Sequence, residues 1–136
     1  MAKLYEDKRT MFNKSPNGII TLNRGDTFTL EYTPDLGRGV HHNYYDLKEG
    51  DHLYLAILEP GQKWENALLK RVYTIDHLKD PHSNIILIHF YTEDTEYLVP
   101  GNYYYEIKLQ RIAEHTDDGF ESIDTVTPRT KFVILE

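Results

Sequence analysis

The stretch Tyr91-Thr92-Glu93-Asp94-Thr95-Glu96-Tyr97-Leu98-Val99-Pro100-Gly101-Asn102-Tyr103-Tyr104-Tyr105-Glu106-Ile107-Lys108-Leu109 decides the fold. Its second half alternates without a break. Tyr103, Tyr105, Ile107 and Leu109 fall on one side, and Tyr104, Glu106, Lys108 and Gln110 on the other, the period of a half-buried strand. Its first half, Thr92 to Leu98, is the part of the chain that leans helical. Thr92 is placed to cap it, acids fill the first turn, and Pro100 ends it after one or two turns. A helical turn, a glycine, then a tyrosine two residues on is the layout of a tyrosine corner, whose phenol bonds backbone just upstream. Gly101 supplies the freedom of the turn, Tyr103 the hydroxyl, and Tyr105 points the same way, into the core. The motif reads as a fold signature, not an active site.

Outward from this stretch the same grammar repeats. Phe28, Leu30 and Tyr32 oppose Thr27, Thr29 and Glu31; Leu53, Leu55 and Ile57 alternate again, and Phe132 and Ile134 line a last strand. Ile85 to Tyr91 is apolar on both faces at its start, which places it centrally in a sheet. Turn chemistry separates the runs: Asn17-Gly18, Asn23-Arg24-Gly25-Asp26, Glu49-Gly50-Asp51, Pro60-Gly61 and the hairpin-like Asp117-Asp118-Gly119. Pro34 to Asn43 and Asp76 to Asn84 read as irregular connections. The reading is an all-β antiparallel sandwich of about eight strands, spaced roughly ten residues apart. Residues 19–136 form the sandwich; residues 1–18, polar and without alternation, form an N-terminal arm that orders against a partner.

Composition narrows the function. A chain of 136 residues is one domain, large enough to bury a core without a metal or disulfide staple. Fifteen Lys and Arg against 22 Asp and Glu leave a net charge of −7, which argues against nucleic acid and against an anionic membrane surface. The absence of cysteine removes disulfides, thiolate zinc sites and a Cys nucleophile together. The longest apolar run, Ile85-Ile86-Leu87-Ile88, is far short of the ~20 residues of a membrane span, and Met1 to Arg9 has no apolar stretch for a signal peptide. A soluble protein made inside the cell is the expectation.

Catalytic and metal-binding patterns are weak. Ser15, Ser83 and Ser122 lie in no G-x-S-x-G elbow, and no phosphate-cradling glycine loop occurs. His41, His42, His52, His77, His82, His89 and His115 show no zinc spacing, and His89 reads as a hydrogen-bonded core residue. Asp117-Asp118, or Asp76 with Asp80, could offer oxygens to calcium, without an EF-hand pattern. Arg24-Gly25-Asp26 spells an adhesive tripeptide but reads as turn chemistry. No enzyme activity, cofactor or metal is expected. Tyr44, Tyr45, Trp64 and Tyr104 fall in loops or on a polar strand face, as a contact surface for protein or, alternatively, a platform for sugar rings.

Two segments taken together resemble a known family. Ile20-Thr21-Leu22-Asn23-Arg24-Gly25-Asp26-Thr27-Phe28, with Leu47 to Leu53 carrying Gly50-Asp51, precedes the E-D-T-x-x-L-x-x-G-x-Y-x-Y-x-I-x-L pattern of Glu93 to Leu109. The ordered set is similar to small immunoglobulin-like modules of tailed-phage virions, notably the N-terminal attachment part of baseplate upper proteins. The similarity spans residues 19–136. It implies an immunoglobulin-like sandwich that docks on other virion structural proteins, in a symmetric multi-copy assembly of the tail, baseplate or capsid. In baseplate proteins a linker and further domains follow this module, whereas this sequence stops at Glu136. The expectation is therefore the attachment module alone: an adaptor, a decoration or a connecting subunit. Its contact regions would be the arm, Pro34–Asn43, the turn around Trp64, or an open strand edge. A carbohydrate-binding module that adheres to the host surface is the alternative.

Overall fold

The computed structural model describes residues 18–37 and 41–136. Residues 1–17 of the 1–18 arm, and positions 38–40 of the Pro34–Asn43 connection, lie outside the described residues. The strands are β1 (Ile20–Asn23), β2 (Phe28–Tyr32), β3 (His52–Leu58), β4 (Leu69–Tyr73), β5 (Ile86–Phe90), β6 (Gly101–Arg111) and β7 (Ser122–Leu135). One helical turn, α1 (Thr92–Thr95), and three 3-10 turns, Trp64–Asn66, Ile75–His77 and Ala113–His115, complete the described elements. The protein is all-β.

A five-stranded sheet has the order β1-β7-β6-β3-β4, and a two-stranded sheet pairs β2 with β5. The two face each other across one core. Phe28 and Leu30 of β2 and Ile86, Ile88 and Phe90 of β5 meet Leu53, Leu55, Ile57, Tyr105, Ile107, Phe132 and Ile134 of the larger sheet. Phe90 and Phe132 touch across the gap, with ring centres 5.4 Å apart. Each strand contributes alternate residues because successive side chains point to opposite faces. β6 is the cleanest case, with Tyr103, Tyr105, Ile107 and Leu109 buried and Tyr104, Glu106, Lys108 and Gln110 half-buried on the outer side.

Three sequence expectations change. The strands are not all antiparallel: β1 runs parallel to β7, with Ile20 opposite Phe132 and Asn23 opposite Leu135. No hairpin forces these two together, since the chain passes through both sheets between them. The described residues hold seven strands, in line with the expected number, with the expected Glu121–Val126 strand and the last strand continuous in β7. Register shifts against β6 absorb the irregularity around Pro128. Ile85–Tyr91 is not central: among the described strands β5 pairs with β2 alone, with one isolated bridge from Leu78 to Ile86, and its second apolar side is half-buried at Ile85 and Leu87. Thr92 does not cap α1; it is the first helical residue, and the Asp94 carboxylate accepts the Tyr91 N–H instead, at 2.7 Å.

Candidate functional site

The motif residues are best understood from the bonds that they make. At the β1–β2 turn, the Asp26 N–H donates to Asn23 O at 3.0 Å, and Gly25 takes a φ of 85°, where a side chain would be strained. The Gly25 N–H donates to Thr95 Oγ1 at 2.9 Å, and Thr95 is wholly buried. Asp94 beside it receives Arg71, whose Nη1 also donates to His89 O at 2.9 Å. Gly25, Asp94 and Thr95 thus lock one end of the two sheets together, while Asp26 stays exposed at the surface of the turn. From the sequence, Asp94 and Thr95 stand in a helical turn and in the E-D-T pattern, but their ties to Arg71 and Gly25 are not visible there. Nothing local distinguishes a buried hydroxyl from any other threonine in a helical turn.

The corner follows directly. Tyr103 Oη donates to Val99 O at 2.5 Å, four residues upstream, and Gly101 between them has a φ of 155°, a backbone conformation that side chains rarely adopt. Tyr105 Oη donates to Gly18 O at 2.5 Å, fastening the segment that precedes β1.

Gly50-Asp51 forms a second polar centre, at the opposite end of β3. Asp51 is fully buried and accepts from Tyr45 Oη at 2.5 Å, His115 Nδ1 at 2.8 Å, and the Lys48 and Ile112 N–H groups at 3.2 and 3.3 Å. Burial pushes its pKa up, but these donors outweigh that push and hold the carboxyl below its usual value. Burial and the adjoining carboxylate push the Tyr45 phenol far up. Tyr45 is therefore no surface aromatic: its ring packs in the core between Lys48 Nζ at 4.4 Å and Arg111 Cζ at 5.4 Å. His89 also differs from expectation. It lies half-buried on the outer side of β5, hydrogen-bonded to Thr29 Oγ1 at 2.6 Å.

The other three aromatics expected at a contact surface are not gathered in one place. Tyr44 is exposed in the connection before β3, stacked on His42 with ring centres 5.1 Å apart. Asp35 organises that connection. It accepts from His42 Nδ1 at 2.7 Å and from the Asn43 and Gly37 N–H groups at 2.8 Å, which lowers its pKa to about 2. Trp64 and Tyr104 lie on the outer side of the five-stranded sheet, Trp64 beneath Lys108 Nζ at 4.6 Å and Tyr104 opposite Leu58 and Lys131.

That outer side is the most continuous candidate surface. Register places Val72, Tyr54, Lys108 and Thr125 in one row across β4, β3, β6 and β7, with His52, Gln110 and Ile123 in the next. Tyr54 Oη donates to Gln110 Oε1 at 2.7 Å and His52 stacks on Tyr54, so the rows are fixed side to side. Val72 and Ile123 at the flanks are 48% and 63% exposed, far more than strand aliphatics packed in a core. Tyr54, Val72 and Ile123 were not singled out in the sequence, because only the register between strands brings them together.

Among the described residues no cluster of three or more His, Cys, Asp or Glu is placed to hold a metal ion, and no helix is long and apolar enough to cross a membrane. An open depression of about 420 Å³ is lined by Leu47, Lys48, Ile75, Asp76, Leu78 and Asp80. Compared with known protein families, curated proteins and solved structures, the chain matches none.

Proposed function

We propose that this chain is a non-enzymatic structural subunit of a phage virion, an immunoglobulin-like module that attaches to other structural proteins in the tail, baseplate or capsid. The observation that carries the reading is the arrangement around the corner. Tyr103 bonds Val99, and the strand that follows sits in the middle of the order β1-β7-β6-β3-β4, facing β2-β5. This supports the resemblance that the sequence motif suggests, since an immunoglobulin-like sandwich places its tyrosine corner at the start of the corresponding strand. Asp51, Asp94 and Thr95 of the motif form internal ties, which fits a module kept for its shape. Docking uses the outer side of the five-stranded sheet, where Tyr54 and Trp64 provide rigid amphipathic rings and Val72 and Ile123 provide exposed apolar flanks. Symmetry then multiplies contacts that are individually weak.

The test is incorporation. In phage assembled with the double variant Val72→Glu, Ile123→Glu, the copies retained on purified particles should fall severalfold while the isolated protein melts as before, since both side chains are already largely exposed. Full incorporation of the double variant would exclude this face as the docking surface.

A further inference from the structure

The charge on the outer side of the five-stranded sheet runs against that of the chain. Lys70 shares a row with Ala56 and Glu106, Lys108 lies in the Tyr54 row, and Lys131 lies opposite Tyr104. Arg129 reaches the same side, with Nε 3.6 Å from Glu106 Oε1, and Glu121 accepts from Gln110. Among the described residues of these rows four cations thus meet two acids, a net +2. Lys63 and Glu65, at the turn that carries Trp64, cancel each other. The whole chain carries −7, so its remainder carries −9. Lys70 and Lys131 are exposed, and the Lys70 ammonium donates to a backbone carbonyl, that of Glu65, at 3.0 Å, which leaves its charge uncompensated.

Such a face is a poor match for its own copy. A two-fold contact presents the same patch on both subunits and sets like charge against like. A contact with a different, acidic patch of the next copy is attractive and repeats head to tail. The open depression described above supplies that patch. Leu47, Ile75, Leu78 and Pro81 give it an apolar lining, and Glu49, Asp76 and Asp80 give it acid. Lys48, the cation among its residues, is held over the Tyr45 ring at 4.4 Å. Its net charge is therefore −2, against +2 on the sheet. None of its residues belongs to the outer rows; they come from the segment entering β3 and from the connection between β4 and β5. Lys70 and Val72, both on the outer side of the edge strand β4 and both exposed, match its acid and its apolar lining. We infer that the chain assembles with itself head to tail, the outer side of one copy against the acidic depression of the next. The inference rests on the docking reading above and names the partner of that face. A head-to-tail contact closes into a ring where its rotation permits, as a two-fold pairing does not.

The experiment is sedimentation velocity of the full chain, from ~10 μM to ~1 mM. It is run at about 0.1 M salt and again at about 1 M, where the screening length shortens from ~10 to ~3 Å. At low salt the mass should grow with concentration past the dimer, and at high salt it should fall back toward the 16.0 kDa monomer. Lys70→Glu with Lys131→Glu, and separately Glu49→Lys with Asp76→Lys, should each weaken association roughly tenfold. All four side chains are exposed, so the melting temperature should hold. Mixing the two variants should restore association, since the face of each then meets a depression of opposite charge in the other. A monomer at every concentration, a dimer and nothing larger, or association that ignores both variants would overturn the inference. A monomeric parent beside lost incorporation of Val72→Glu, Ile123→Glu would overturn it while leaving the docking face to another protein. Full incorporation of that variant strikes the docking reading instead, and is read on particles rather than in the centrifuge.

Discussion

Asp51→Ala is the most informative single substitution. It removes the acceptor for four donors at a site with no access to water. The bonds from Tyr45 and His115, at 2.5 and 2.8 Å, are short and end on a charged group, each worth ~1.5–3 kcal/mol; the longer amide bonds add less. The variant also escapes the cost of burying a carboxylate, which offsets part of that sum. The net loss should be about 3–5 kcal/mol, a large share of the ~5–15 kcal/mol that holds a domain together. With a urea slope of ~2 kcal/mol/M, the unfolding midpoint falls by roughly 2 M. Tyr45→Phe removes one donor and should cost about 1–2 kcal/mol. Acid unfolding gives an independent check. The folded pKa of Asp51 lies below its unfolded value of ~3.9, so its stabilisation is complete above that pH and is lost as pH falls through the folded pKa. Asp51→Asn cannot titrate and should flatten that acid limb, leaving a residual slope from Asp35 and Asp118, which are also held low. An Asp51→Ala midpoint within ~0.5 M of the parent would refute the view of Asp51 as the tie between the 44–51 segment and the β6–β7 end.

Three further substitutions test the other ties. Thr95→Val keeps the shape of the side chain but strands the Gly25 N–H, and should cost about 1–2 kcal/mol with faster hydrogen exchange at Gly25. Tyr103→Phe should cost only ~1 kcal/mol, because Val99 is exposed and its carbonyl can turn to water; chemical denaturation measures the difference. Arg71→Ala leaves the Asp94 carboxylate, 4% exposed, without its cation and frees His89 O at the edge of β5. A loss of ~2–4 kcal/mol in thermal or urea unfolding is expected, and a neutral result would show that the pair is only a surface contact.

Much of the fold was legible because alternation is a local property. Phe28-Leu30, Leu53-Leu55-Ile57 and Tyr103 to Leu109 carry their burial in their spacing, and all of them face the core. The class followed from those runs. What escaped was pairing: nothing within Ile85–Tyr91 says whether its neighbours number one or two, and nothing near Pro128 says that the strand survives it with a shift of register. β4 was not singled out, since Leu69-Lys70-Arg71-Val72-Tyr73 places a cation on its inner side. That cation, Arg71, finds Asp94 only in three dimensions. The contact surface suffered from the same limit. Tyr45 looks like its exposed neighbour Tyr44 until Asp51, six residues on, is seen to hold its hydroxyl. The outer row of Val72, Tyr54 and Lys108 exists only through the register of separate strands.

The central proposal, that this chain is built into a phage virion, is tested most directly by quantitative mass spectrometry of purified, nuclease-treated particles released from cells that produce it. The account predicts the chain on the particle in a fixed copy number set by symmetry, six or twelve for a tail or baseplate ring and hundreds for a capsid decoration. Absence from the particle, with the protein abundant in the infected cell, would contradict it.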